Sequence, residues 1–183
     1  MQQTGLQFTV QLAGEIDELY PPELQREEIP LFLARLKANA FLKNNSITNN
    51  TIVITADTIV LIDGITLEKP NNRNEAIEML KKLSGKTHSV FSGVCLSTKS
   101  KQHLFFDETK VTFKNLSNEE INYYVDNFKP YDKAGAYGIQ EWIGYVGVER
   151  IEGSYFNVMG MPIHKLYSEL SYFFSFDFFA HPK

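Results

Sequence analysis

The chain has 183 residues, enough for one domain or two small lobes with a cleft, and its 43% hydrophobic and 22% charged residues exclude a disordered chain. A net charge of -4 excludes a nucleic acid polymer as main partner, because backbone binding needs a basic surface, although a few lysines could still converge on a small phosphorylated ligand. A single cysteine, Cys95, permits no internal disulfide and suits a reducing cytoplasm; its apolar run makes it a packing residue. No apolar run reaches the length that crosses a bilayer, so no membrane is expected as partner. His88, His103, His164 and His181 stand without ligand spacing, so no zinc site is expected.

Met1 to Gly5 reads as a last helical turn closing on glycine, and Leu6 to Leu12 alternates apolar and polar residues as a strand does. Glu15, Asp17 and Glu18 follow, ahead of an irregular loop at Tyr20-Pro21-Pro22. Such a cluster is ordinarily a solvated face; beside a phosphate site it supplies magnesium ligands. Pro30 suits a first helical turn, and Phe32, Leu33, Leu36 and Ala40 give Leu31 to Lys43 an apolar stripe. On helix pattern alone, Lys37 is a surface lysine. After the polar loop 44–50, Ile52 to Ile62 is apolar enough for a strand buried on both faces, yet Asp57 interrupts its middle. An uncompensated carboxylate there would cost several kcal/mol (order of magnitude), so it needs a partner. Asp63-Gly64 signals a tight turn returning the chain through Ile65 to Leu67, and Lys69 follows before Pro70, an acid and a base brought close. The bland alternative leaves Asp57 in a strand break, bonded to Thr55 or Thr58 and partly wet.

Asn71 to Asn74 offers caps for a helix to about Ser84, with Gly85 placed to end it. Thr87 to Ser97 and His103 to Phe113 form an antiparallel pair turning near Lys99 to Lys101. Ser117-Asn-Glu-Glu120 is a capping box for a helix through Asn127, closed by Pro130. Gly135 and Gly138, bracketed by Lys133 and Gln140, let backbone approach a ligand. Tyr145 to Ile151 reads as a strand, Gly153 to Pro162 as a second glycine-bracketed loop, and Pro162 to Leu170 as a last helix. The aromatic stretch Tyr172 to Phe179 is expected to pack on the domain or on a second chain.

Thr55-Ala-Asp57-Thr58, Glu68-Lys69-Pro70, Leu83-Ser84-Gly85-Lys86-Thr87-His88, Lys133-Ala-Gly-Ala-Tyr-Gly-Ile-Gln140 and Ile151-Glu-Gly-Ser-Tyr-Phe-Asn157 occur in that order. A chain carrying them from Gly5 to about Leu170 closely resembles the Maf family of nucleoside triphosphate pyrophosphatases. The resemblance implies an α/β, inosine-triphosphatase-like (Maf/Ham1) fold: a mixed, strongly bent sheet, flanking helices and a central cleft in one domain over residues 1–183. It implies hydrolysis between the α and β phosphates, with magnesium or manganese as cofactor. It puts the catalytic, metal-organising acid on Asp57 with Glu18 as second acid, and phosphate contacts on Lys37 and Lys69. Thr58 and Gln140 match positions tied to choice of base, in the subgroup acting on dTTP and UTP, and Lys133 joins the substrate-binding set. A cytoplasmic homodimer is implied as well. The family opens with a strand and a Ser-x-Ser-Pro-Arg-Arg loop that has no counterpart in this sequence. The expectation from that departure is reduced turnover, with a nucleotide-binding regulatory protein as the alternative.

Overall fold

In a computed structural model, the structure describes residues 4–12, 14 and 16–174. Five strands form one sheet in the order β2-β1-β3-β4-β5, comprising β1 (Val53–Ile62), β2 (Ile65–Leu67), β3 (Thr87–Ser97), β4 (Gln102–Phe113) and β5 (Val148–Glu152). The helices around it are α1 (Glu28–Asn44), α2 (Arg73–Leu83), α3 (Asn118–Phe128), α4 (Trp142–Gly147), α5 (Tyr155–Val158) and α6 (Ile163–Phe174). The α/β class with flanking helices is the expected one. Among the described residues, every strand pair is antiparallel, where a mixed sheet was expected.

Local chemistry accounts for most element ends. Asp63 and Gly64 both take positive φ (51° and 77°), the backbone a two-residue hairpin needs between β1 and β2. Asn72 caps α2 by accepting the Glu75 amide, and Ser117 and Glu120 complete a reciprocal capping box on α3.

Strand alternation gives the sheet two different faces. On one, Ile59 and Phe91 pack with Ile29 and Leu33, while Cys95 packs with Ala34 and Ala38, so this face carries α1. Gly93, opposite Asp57 in the β1–β3 register, permits that contact: a Cβ there would stand 2.4 Å from the Pro30 carbonyl carbon. The other face carries two separate clusters. Val60 and Val90 join the core of α2 and α3, and Ala56 and Val94 join Leu166 and Leu170 of α6. Between them lies the Thr58–Ser92 pair. The cleft opens between the two clusters, with Ala56 of one and Val60, Val90 and Val158 of the other in its lining.

Several expectations need correction. Residues 6–12 form no strand, and Phe8, Val10 and Leu12 are exposed; Phe8, Thr9 and Gln11 border a recess beside Ile52 to Thr55 but pair with no strand among the described residues. Met1 to Gln3, and with them the expected helical turn, fall outside the described residues, although Gly5 has the positive φ (80°) of a helix-closing glycine. Residues 142–147 are helical, and the strand expected from Tyr145 begins only at Val148. Ile143 and Gly147 are buried there at helical spacing, and that packing overrides the apolar alternation. Residues 155–158 of the second glycine-bracketed loop close into the short helix α5, capped by Ser154. The last helix runs on to Phe174, and the rest of the aromatic stretch, 175–179, lies outside the described residues. β1 is fully buried only near its end: Val53 to Thr55 border one surface recess and Ala56 to Thr58 border the cleft.

Candidate active site

Tyr20, half-buried against Ile29 and Leu33, anchors the irregular segment before α1 and donates its hydroxyl to Glu68 Oε1 at 2.9 Å. Burial first, and then the neighbouring Glu68 carboxylate, push the Tyr20 phenol up to about 12. This clasp holds Glu18 over the sheet. Lys37 arrives from α1, where Leu33, Lys37 and Phe41 share one stripe at four-residue spacing. The stripe faces the sheet, so Lys37 is an inward residue and not the surface lysine its helix pattern suggested.

The charged groups form one chain of contacts. Lys37 Nζ lies 2.5 Å from Asp57 Oδ1 and 2.8 Å from Glu18 Oε1, and Lys69 Nζ lies 3.0 Å from Glu18 Oε2. Side-chain exposure rises from 10% at Asp57 through 21% at Lys37 and 37% at Glu18 to 53% at Lys69, so Asp57 is the innermost group. Burial pushes the Asp57 carboxyl above its usual range, and Lys37 pulls it only part of the way back. Burial also opposes ionisation of Glu18, but hydrogen bonds and charge from Lys37 and Lys69 outweigh it and leave that carboxyl lowered. Lys37 is raised: its two carboxylates overcome the opposing effect of burial. An ammonium so held stays charged at any physiological pH. The bland strand-break reading of Asp57 therefore fails, since its partner is Lys37, while Thr55 donates to the Ala34 carbonyl at 2.7 Å and Thr58 bonds Ser92.

Lys37, Asp57, Thr58, Lys69, Lys133 and Gln140 line a single cavity of about 390 Å³. Glu18 lines an adjoining recess that shares Asp57, Thr58 and Lys69. All the residues expected from sequence are thus brought together, with Gln140 exposed at the mouth. Asp17 is exposed, and Glu15 lies outside the described residues. The turn Ala134–Ala136 delivers Lys133 beside Lys69, because the Gly135 amide donates to the Glu68 carbonyl at 3.1 Å. Lys133 Nζ is held 3.1 Å from Glu141 Oε1 and 2.9 Å from Asp132 Oδ1. Glu141 in turn accepts from the Tyr124 hydroxyl, whose oxygen accepts the Gly138 amide at 3.0 Å.

Sequence reasoning missed Glu141, Ser92 and the apolar lining of Val60, Val90 and Val158. The spacing of Glu141 from Lys133 marks nothing, and Ser92 sits in a run whose other residues are packing. The cavity is asymmetric as a result. One end is a cluster of carboxylates and ammonium groups beside α1; the other, across β1, is apolar and carries the Thr58 hydroxyl. Such an arrangement suits an anion tied to a flat, uncharged ring.

Comparison with known proteins places the site in context. Residues 1–173 match the family described as Maf-like protein. A protein of Porphyromonas gingivalis named dTTP/UTP pyrophosphatase is 51% identical over 168 residues, covering 92% of this chain and 84% of the relative. One of the same name from Bacteroides fragilis is 55% identical over 166 residues, covering 91% and 85%. A third, from Flavobacterium johnsoniae, is 51% identical over 166 residues, covering 91% and 84%.

Proposed function

The chain belongs to the Maf-like protein family, and from that membership we propose that its cavity hydrolyses dTTP and UTP to the nucleoside monophosphate and pyrophosphate. The observation that carries this reading is the single cavity in which Asp57, Lys37 and Lys69 meet an apolar wall. In it, Lys37 and Lys69 neutralise the polyphosphate, and the Asp57 carboxylate takes the proton of the attacking water. The water oxygen bonds to the α phosphorus as the bond to the bridging oxygen breaks and pyrophosphate leaves. Glu18 keeps both ammonium groups aimed at the phosphates, Lys133 adds a further cation to the same cavity, and Gln140 offers a donor and an acceptor at the mouth.

A divalent cation, magnesium or manganese, belongs to this reading. Glu18 and Asp57 would hold it, since magnesium is bound through one or two carboxylates together with substrate phosphates, and it would share those carboxylates with Lys37 and Lys69. Among the described residues, no group of three or more acidic, histidine or cysteine side chains is placed to hold a metal by itself. The cation would enter with the nucleotide and add positive charge to the polyphosphate. Chelation should therefore suppress turnover while the free protein keeps its melting temperature.

The reading sets the protein in the cytoplasm, where buried Cys95 stays reduced, and as a homodimer whose mass sedimentation would give. Among the described residues, no helix is long and apolar enough to cross a membrane. The test of function is pyrophosphate release from dTTP, UTP and 7-methyl-GTP with magnesium or manganese. Release from the first two supports the reading. Binding without release would identify a nucleotide-binding protein of regulatory type and overturn it.

A further inference from the structure

We propose that Ser92 is a positioning residue that fixes the proton of the Thr58 hydroxyl, so that Thr58 offers only lone pairs and favours a base with a ring N–H. The proposal rests on the reading of the cavity as a pyrimidine nucleotide site. A hydroxyl has one proton to give and two lone pairs to receive. Ser92 Oγ stands 2.9 Å from the Asn157 carbonyl oxygen, which can only accept, so the Ser92 proton points there. Thr58 Oγ1 is 2.7 Å from Ser92 Oγ. With the Ser92 proton committed, Thr58 must be the donor in that contact, and its own proton points away from the cavity.

The relay is held at its far end. Asn157 gives its side-chain amide to the Val90 carbonyl at 3.1 Å and to Thr109 Oγ1 at 3.0 Å, while its carbonyl also accepts the Gly160 amide at 2.9 Å. Ser92 and Asn157 are both 0% exposed, so bulk water does not reach the relay to reverse it. Thr58, by contrast, lines the cavity. Gly160 lines the cavity beside that hydroxyl, and a Cβ there would stand in ordinary contact with Thr58 Oγ1, at 3.5 Å.

The position of Thr58 decides what meets it. Ala56, Thr58 and Val60 share one face of β1, with Val90 beside them and Val158 over them, whereas Asp57 faces α1 and Lys37. A polyphosphate at the lysines leaves the base to lie against the valines and Thr58. Uracil and thymine share an imide N3–H on their pairing edge, and cytosine has a lone pair at that atom. A Thr58 that can only accept bonds the first two and confronts the third with two facing lone pairs, an unpaired polar contact.

The experiment measures binding of the α,β-methylene analogues of UTP and CTP, which are not cleaved between the α and β phosphates, by calorimetry. The parent should prefer the uridine analogue by at least about tenfold. Ser92→Ala releases the Thr58 proton to turn either way, and the preference should fall towards unity. Should Ser92→Ala not fold, Thr58→Val, which keeps the shape and removes the acceptor, must give the same loss, and Thr58→Ser must retain the preference. A parent that binds neither analogue or does not discriminate overturns the proposal, as does a preference surviving in Ser92→Ala or Thr58→Val. Equal weakening of both analogues would mark Thr58 as a sugar contact and overturn it too. Discrimination lost as described in a protein that releases no pyrophosphate would leave the relay standing and reject hydrolysis instead.

Discussion

Lys37 contacts two carboxylates at once, and that fact governs what single substitutions should do. Asp57→Asn keeps the shape and leaves Lys37 its second partner, Glu18, so the melting temperature should stay near that of the parent while turnover is abolished; normal hydrolysis by this variant would reject Asp57 as the proton acceptor. Lys37→Met acts differently. The Lys37 charge is what restrains the raised Asp57 pKa, so its removal should move the acidic limb of the kcat/KM profile to higher pH. A limb that stays in place would mean another group titrates there. Glu18 has the opposite sign: its lowered pKa contributes stability above the ordinary carboxylate range, lost as pH falls through the depressed value. At this scale much was legible. The Asp57-Thr58 and Lys69-Pro70 motifs stood out because a charge in an apolar strand is costly unless used. Glu141 and Ser92 were invisible, because hydrogen-bond partners 8 and 34 residues from Lys133 and Thr58 leave no local pattern.

The elements position the site through a few close contacts, of which α1 on the β1–β3 pair matters most. Gly93→Ala would set a Cβ 2.4 Å from the Pro30 carbonyl carbon, so α1 must retreat and carry Lys37 with it. Overpacking of this kind costs about 1–3 kcal/mol, and the melting temperature should fall by roughly 3–10 °C with a matching loss of kcat/KM. An active Gly93→Ala protein of unchanged melting temperature would show that the contact does not set the geometry. Ser117→Ala offers the contrast. It removes the α3 cap, remote from the cavity, and should cost about 1 kcal/mol in stability without altering kcat/KM. Caps and tight turns were readable because they depend on residues within a few positions of each other. The helix over 142–147 was not, since its apolar residues satisfy a strand pattern equally well until the packing of Ile143 decides.

Across the whole molecule, one buried histidine links pH to the fold. His88 is 2% exposed, packs edge-on to Phe113 and Tyr137, and is lowered by burial to about 4. A group whose pKa is depressed on folding loses its stabilising contribution as pH falls, here from about 6.5 in the unfolded chain to about 4 in the fold. The loss should be on the order of 3 kcal/mol, measured by denaturant unfolding at pH 7 and pH 4, and His88→Phe should flatten that part of the profile. An equally steep profile in the variant would assign the acid sensitivity elsewhere. The helical periods, the capping residues, the Asp63-Gly64 hairpin and the ordered motifs carrying the charged side chains were determined by sequence alone, because each depends on short-range spacing. Tertiary structure decided which face of α1 Lys37 occupies, where the two apolar clusters part to make room for a ligand, and which way the protons run from Thr58 through Ser92. Those outcomes depend on strands and helices far apart in the chain meeting at one place, and hydrogen-bond polarity is defined only once both partners are present.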